Sequence, residues 1–227
     1  MNQIERRGLA PKTHEDAYRR IESYLQSEPR PRLHLGAGPV VLPGWLNSDI
    51  SPLHPNIVPI DAAEPLPLPD KSVDAVFCEH LIEHLPYAAG QSMVAEVFRI
   101  LRPGGVLRVS TPDLQRLCEL IVNDRDDVRN MYIRVINSAF GEDPHSNDPT
   151  FTLNSSFYNH GHQFLYTRGV LKRVFEMAGF ESLSWTIPLV SEHELLGGLE
   201  HHGRLLGDER LNSFECMVLE GSKPSGR

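Results

Sequence analysis

Apolar positions along the chain follow two periods in turn. Ala17, Tyr18, Ile21, Tyr24 and Leu25 share one helical face, and Thr13 with Asp16 makes a capping-box-like start. Ser27 to Pro31 breaks that helix. Short β-type runs follow at 33–35, 45–50 and 56–60, the last two ending at Asp49 and Asp61. A turn at Pro69, Asp70, Lys71 and Ser72 precedes another run at 73–77. Met93, Val94, Val97, Phe98 and Leu101 then fall on one face of a long helix. Arg102, Pro103, Gly104 and Gly105 should stop it, since proline presets φ and glycine supplies positive φ. Residues 106–110 read as the next strand. Strands that alternate with helices predict an α/β fold with a mostly parallel sheet and right-handed crossovers.

Beyond Thr111 the order weakens. Leu114, Leu117, Cys118 and Ile121 suggest one helix and residues 131–136 another, while 141–156 shows no periodicity and many turn residues. Val170, Leu171, Val174, Phe175 and Ala178 restore a clear helix, with Gly179 where a C′ glycine belongs. Residues 181–188 and 213–220 read as two closing strands, an antiparallel pair. The tail from Gly221 reads as frayed.

Bulk properties then narrow the class. The chain has 227 residues, 40% apolar and 23% charged, which suits one well-buried α/β domain. No apolar run approaches the ~20 residues that span a bilayer. Residues 1–11 are polar and lack a secretory pattern, so no membrane association and a cytoplasmic location are expected. Cys78, Cys118 and Cys216 form no CxxC pair and read as free thiols. The net charge of −8 lacks the basic face through which phosphate contacts supply affinity, so no nucleic-acid partner is expected.

The carboxyl ends of strands in an open α/β sheet are where ligands bind. Those ends carry Gly36-Ala37-Gly38, Asp49, Asp61 and the pair Glu79-His80. Glycine after the first strand keeps a Cβ away from a ligand lying on the backbone. A carboxylate after the second can accept both hydroxyls of a ribose. Asp61, with the backbone of Ala62, is placed to read an adenine amine. The competing reading of Asp61 is an N-cap for Ala62, Ala63 and Glu64.

Leu33-His34-Leu35-Gly36-Ala37-Gly38, followed by Pro43-Gly44-Trp45-Leu46-Asn47-Ser48-Asp49-Ile50, resembles the class I S-adenosylmethionine (SAM)-dependent methyltransferases. More narrowly it is similar to a compact bacterial, type 11-like branch with the motif LNLGxGxxxxxGWxNVDI. Further stretches match in order. Residues 66–70 with Asp61 resemble the adenine-side loop, 73–85 resemble fDxVxxxHvLEHl, and 98–113 resemble a strand entered through PGG. Residues 162–180 resemble HxxxYtxexLxxlLexaGF, and 200–223 resemble the closing strand. The likeness implies a Rossmann-like, mostly parallel seven-stranded sheet with helices on both faces. It covers 31–223 as the methyltransferase domain, with 1–30 a helical extension and 111–166 an insertion serving as a substrate-side lid.

Carried over by residue, the resemblance puts Leu35, Gly36, Ala37 and Gly38 along the methionine and ribose of SAM. Asp49 takes the ribose and Ile50 the adenine face, with Asp61 and Ala62 at the adenine edge. Cys78, Glu79 and His80 border the methyl group. Two departures stand out: Val40 replaces a third glycine, and the spacing from Gly38 to Asp49 is too short for the usual helix.

A sulfonium is already a good leaving group, so alignment is the main task, and a base matters only for a protonated acceptor. His80 and His162 are the expected catalytic bases, with Tyr158, His160, His162 and Tyr166 along the substrate. The expected acceptor is a small molecule or glycan, most simply at oxygen. The N-terminal helix is free to cover the site or to make a homodimer contact. His80-Leu81-Ile82-Glu83-His84 also satisfies the H-x-x-E-H zinc motif, and His160, His162, His201 and His202 offer further ligands. Because a zinc peptidase leaves residues 36–49 unexplained, no metal is expected. The alternatives kept open are a non-catalytic SAM- or S-adenosylhomocysteine-binding protein and a His-rich metal-dependent enzyme.

Overall fold

The computed structural model describes residues 11–122, 127–140, 143 and 145–226. Seven strands form one sheet: β1 (Arg32–Leu35), β2 (Leu46–Asp49), β3 (Ile57–Pro59), β4 (Val73–Glu79), β5 (Leu101–Pro112), β6 (Glu181–Thr186) and β7 (Cys216–Ser222). Their order is β3-β2-β1-β4-β5-β7-β6. Neighbours pair in parallel except β7, which is antiparallel to both β5 and β6. The order reverses between β1 and β4, which opens a crevice at their carboxyl ends.

Helices α1 (Pro11–Ser27), α2 (Tyr87–Ile100) and α6 (Arg168–Ala178) supply Ile21, Met93, Val97, Leu171 and Phe175 to one core, against Val76 and Cys78 of β4. The alternate β4 residues Ala75 and Phe77 face the other way, onto Leu42, Trp45, Leu196 and Leu199. This period-two split is what burying both faces of a strand requires. Helix α6 ends as expected, with Gly179 at φ +100° and the amide of Phe180 bonded to the Phe175 carbonyl.

Several boundaries differ from those expected, each for a local reason. The chain is already helical where Thr13 was read as the cap. Residues 102–105 do not separate α2 from a strand; they bulge within β5, whose pairing to β4 jumps from Val73↔Leu101 to Ala75↔Val106. Gly104, at φ +80°, donates its amide to the Lys223 carbonyl across that bulge. Residues 149–158 are helix α5 (Pro149–Tyr158), capped by the Asp148 carboxylate, where no periodicity was visible. Its buried residues are Thr152, Ser155 and Ser156, and Thr152 Oγ1 bonds Asn137 Oδ1 at 2.7 Å, so burial there is polar. The closing strand begins at Cys216 rather than Ser213, because α8 (Glu209–Glu215) intervenes after α7 (His202–Leu206). β6 is parallel to all but β7, so the last two strands are antiparallel to each other.

Helices α3 (Leu114–Val122), α4 (Asp127–Phe140), α7 and α8 build a separate core of Leu117, Leu120, Tyr132, Ile133, Leu206 and Leu211. No helix of the described residues is long and apolar enough to cross a membrane.

Arg108 of β5 is fully buried between two acids. It meets Glu220, its register partner on β7, at 2.5 Å and Glu200 at 2.6 Å, and it donates to the Val190 carbonyl at 2.9 Å. The other Glu200 oxygen accepts the Leu189 amide at 2.7 Å. One guanidinium thereby fastens the irregular segment 187–200 to the sheet. Removing the cation leaves two buried carboxylates unpaired, which costs about 3–5 kcal/mol. Arg108→Met should lower unfolding stability by that amount in urea titrations, and a loss under about 1 kcal/mol would contradict this placement.

Candidate active site

Gly36 and Gly38 follow β1 with φ of +74° and +52°, in the region that side-chain-bearing residues avoid. A Cβ on Gly36 would meet the Leu81 side chain at 2.9 Å, whereas one on Gly38 would project into open space. The Gly38 amide donates to Asp49 Oδ2 at 2.8 Å, and the Ala37 amide to the Ser48 carbonyl. The connection to β2 forms no helix. Asn47 holds it instead: its Oδ1 accepts the Leu42 amide, and its Nδ2 donates to the Leu42 and Trp45 carbonyls.

Above this turn lies a cavity of about 330 Å³, lined by residues 36–40, His34, Glu79, His80, His201, His202, Arg204 and Leu205. His34 forms part of its floor, stacked on Phe77 and bonded to Asn47; burial lowers it to about 4, so it is neutral. The Glu79 carboxylate accepts the His201 amide at 2.9 Å and the His202 amide at 3.1 Å. That pairing draws the chain after Glu200 over the cavity.

A second cavity, of about 230 Å³, shares His80 and His202 with the first. Its other walls are His84, Tyr132, Ile136, Phe140, Ser156, His160, His162, Leu206 and Glu215. The rings of His80 and His202 stack at 3.8 Å and form the partition. His80 takes φ +48°, turning its ring aside at the end of β4. Its Nδ1 lies 3.0 Å from Glu83 Oε1 and its Nε2 3.1 Å from Cys216 Sγ. Burial pushes the Cys216 thiol up to about 12, so it is neutral. Burial alone would lower His80, but its neighbours reverse this and raise it well above the ordinary value, the charged one being Glu83. Glu83 is correspondingly lowered despite its own burial.

On the other side of the partition, His202 Nε2 meets Glu215 Oε2 at 3.1 Å. Burial opposes ionisation of Glu215, yet His202 brings it down to about 2. The Glu215 carbonyl accepts the Asp113 amide, tying this acid to the end of β5. Across the cavity, His162 Nδ1 sits 2.6 Å from the Ser156 carbonyl, which only accepts, so Nδ1 carries the proton and Nε2 is bare. Burial lowers both His162 and His160, favouring neutral rings.

The expected residues are thus partly assembled. Gly36, Ala37, Gly38, Glu79 and His80 line the first cavity, and His160 and His162 the second. Leu35 and Ala62 are buried in the core. Cys78 is buried there too, and its thiol is pushed up in pKa, so its side chain does not reach the cavity. Ile50 is exposed, and Asp61 caps its own turn through the Ala63 amide, the competing reading named above. Tyr166 is fully buried against Phe164 and Tyr87, and Tyr158 is exposed beside Thr150 and Asn154; neither lines the two cavities. The H-x-x-E-H residues do not share a helix face, because only 82–84 make a single 3-10 turn. Tyr132, Arg204, Leu205 and Glu215 were not anticipated; the His201-His202 pair was noticed only for its ligand chemistry.

Residues 46–109 match the family model described as a methyltransferase domain. A curated Mycolicibacterium smegmatis relative, named "Probable S-adenosylmethionine-dependent methyltransferase", is 58% identical over 48 residues, 21% of this chain. The match spans only 18% of that relative's length. Among solved structures, a SAM-dependent methyltransferase from Archaeoglobus fulgidus superposes with a TM-score of 0.51 at 17% identity, over 92% of this chain and 94% of that one. A chain of the "Complex between the Haloferax volcanii Trm112 methyltransferase activator and the putative methyltransferase" gives 0.52 at 15% identity, over 95% and 93%. The strand order and these superpositions define a Rossmann-like class I methyltransferase fold. A methyltransferase-domain signature thus lies over residues 46–109, within a fold shared with SAM-dependent methyltransferases.

The Glu79 contacts carry a direct test. Hydrogen bonds to a charged acceptor contribute about 1.5–3 kcal/mol. Glu79→Ala should speed amide exchange at His201 and His202 by roughly ten- to a hundredfold. Unchanged exchange would mean that another contact holds this segment.

Proposed function

We propose that the chain transfers a methyl group from SAM to a hydroxyl of a small-molecule or glycan acceptor. The observation that carries this reading is the pair of adjoining cavities, one on the glycine turn and one lined by imidazoles, with His80 and His202 common to both. A donor in the first and an acceptor in the second face each other across these two rings, which must swing aside to give the in-line contact methyl transfer needs.

On the donor side, the backbone of 36–38 faces the methionine and ribose of SAM. Each Asp49 oxygen already accepts one backbone amide, from Gly38 or Ser51, and a carboxylate has about four lone-pair sites. Asp49 is therefore fixed in place and still able to accept from ribose hydroxyls. Ile50, exposed beside it, is available to cover the adenine. Asp61 is committed to its turn and serves the adenine edge only through that turn's position.

On the acceptor side, we assign proton removal to His162, whose bare Nε2 is set by the Ser156 carbonyl. His80 has both nitrogens engaged and acts by holding the partition. His160, bonded to Ser155 Oγ at 3.3 Å, lines the acceptor space. Helices α3, α4 and α5, from the long segment after β5, cover it as a lid.

Asp49→Asn should weaken SAM binding about 10- to 100-fold, the value of a hydrogen bond to charge, in a calorimetric titration. Undiminished affinity would remove the ribose assignment. His162→Gln should leave SAM affinity unchanged and slow methylation by about 10²–10⁴-fold, followed with radiolabelled SAM across a panel of hydroxylated acceptors. SAM binding by wild type with no turnover on any acceptor would favour a non-catalytic binding protein.

A further inference from the structure

We propose that His80, His202 and Glu215 form a binding site for one first-row divalent metal ion, zinc being the best chemical fit. A ligand atom from each of these side chains lies within 4.8 Å of the other two. They come from the end of β4, the start of α7 and the end of α8, so the fold and not local spacing brings them together. Zinc bonds to nitrogen and oxygen of about 2.0–2.2 Å place ligands roughly 3–4 Å apart. Small side-chain rotations therefore suffice.

Three features point to a cation rather than to simple pairing. Two imidazoles stack at 3.8 Å while Glu215 meets only one of them directly, through His202. The Nε2 of His80 is engaged only by the Cys216 thiol, a weak contact that an ion would displace along with the imidazole proton. A cation between these groups would give both imidazoles and the carboxylate a common partner. Second, the supports that orient metal ligands are in place: Glu83 lies behind His80 Nδ1, and Tyr132 shares the cavity wall with Glu215. Third, all three ligands line one cavity, which leaves an open coordination side facing it.

Two imidazoles and one carboxylate suit zinc and its neighbours, whereas magnesium and calcium prefer oxygen ligands. Glu83, His84 and His162 also lie within 4.8 Å of one another. Glu83, however, is not part of the cavity wall, and its Oε2 is taken by Thr111 Oγ1 at 2.9 Å. It therefore serves as the support of His80 and not as a separate centre. Any polarisation of the acceptor by the ion rests on the methyl-transfer reading; binding of the ion does not.

The test uses the full chain, stripped with a chelator and titrated with Zn²⁺ by calorimetry and with Co²⁺ by visible absorption. One ion per chain is expected, with cobalt bands characteristic of imidazole and carboxylate ligation. Glu83→Gln should weaken binding about 10- to 100-fold, and His202→Ala or Glu215→Gln by more, with circular dichroism confirming the fold. If Glu215→Gln fails to fold, His202→Ala carries the result. A folded wild type that takes up neither ion overturns the proposal. So does affinity unaffected by His202→Ala, or affinity lost in His84→Ala but kept in His202→Ala. These readouts need neither SAM nor acceptor, so their failure and the failure of methyl transfer are separate events.

Discussion

The buried cation Arg108 is the contact on which the end of the molecule that carries the cavities depends. It sits in β5 beside Glu220 and reaches Glu200, the residue immediately before His201 and His202. Two acids in an apolar interior are tolerable only with such a partner. With Glu200 fixed, the next two amides fall on the Glu79 carboxylate, and His202 arrives against His80. The chain of consequence runs from a charge in the sheet to the wall of a binding site.

The same economy of fixed groups recurs around the second cavity. Glu83 uses its carboxylate on His80 and Thr111 while its carbonyl accepts the amides of Gln163 and Phe164. One residue therefore orients an imidazole of the partition and also seats the segment carrying His162. Across the site, Asn47 satisfies the short, helix-free β1–β2 connection from its own side chain.

Most of the sheet was legible from apolar periodicity and from the strand-end residues, because strands buried on both faces announce themselves. Helix α5 was not, since its inward face is Thr152, Ser155 and Ser156, and polar burial leaves no hydrophobic stripe. Helices α7 and α8 are too short for periodicity to register. For the site, Gly36, Gly38 and His162 were readable from turn chemistry and motif position. Tyr132 and Glu215 were not, because Glu215 is placed by the bond of its carbonyl to the distant Asp113 amide, and Tyr132 by packing of α4 against Phe214 of α8. Tyr166 misled for the opposite reason: an aromatic near the expected substrate mouth turned inward to pack under Phe164.

The shared partition of His80 and His202 has one more consequence. Two ligands that press on the same pair of rings cannot bind independently. An occupant that shifts the rings from one cavity changes the wall of the other, and the two affinities are then linked by a coupling free energy. Linkage of this kind is reciprocal: if the donor tightens the hold on the acceptor, the acceptor tightens the hold on the donor by the same factor. Under the proposed reaction, a cofactor that has lost its methyl and presses less on these rings would loosen the acceptor as well, so that leaving one cavity favours leaving the other.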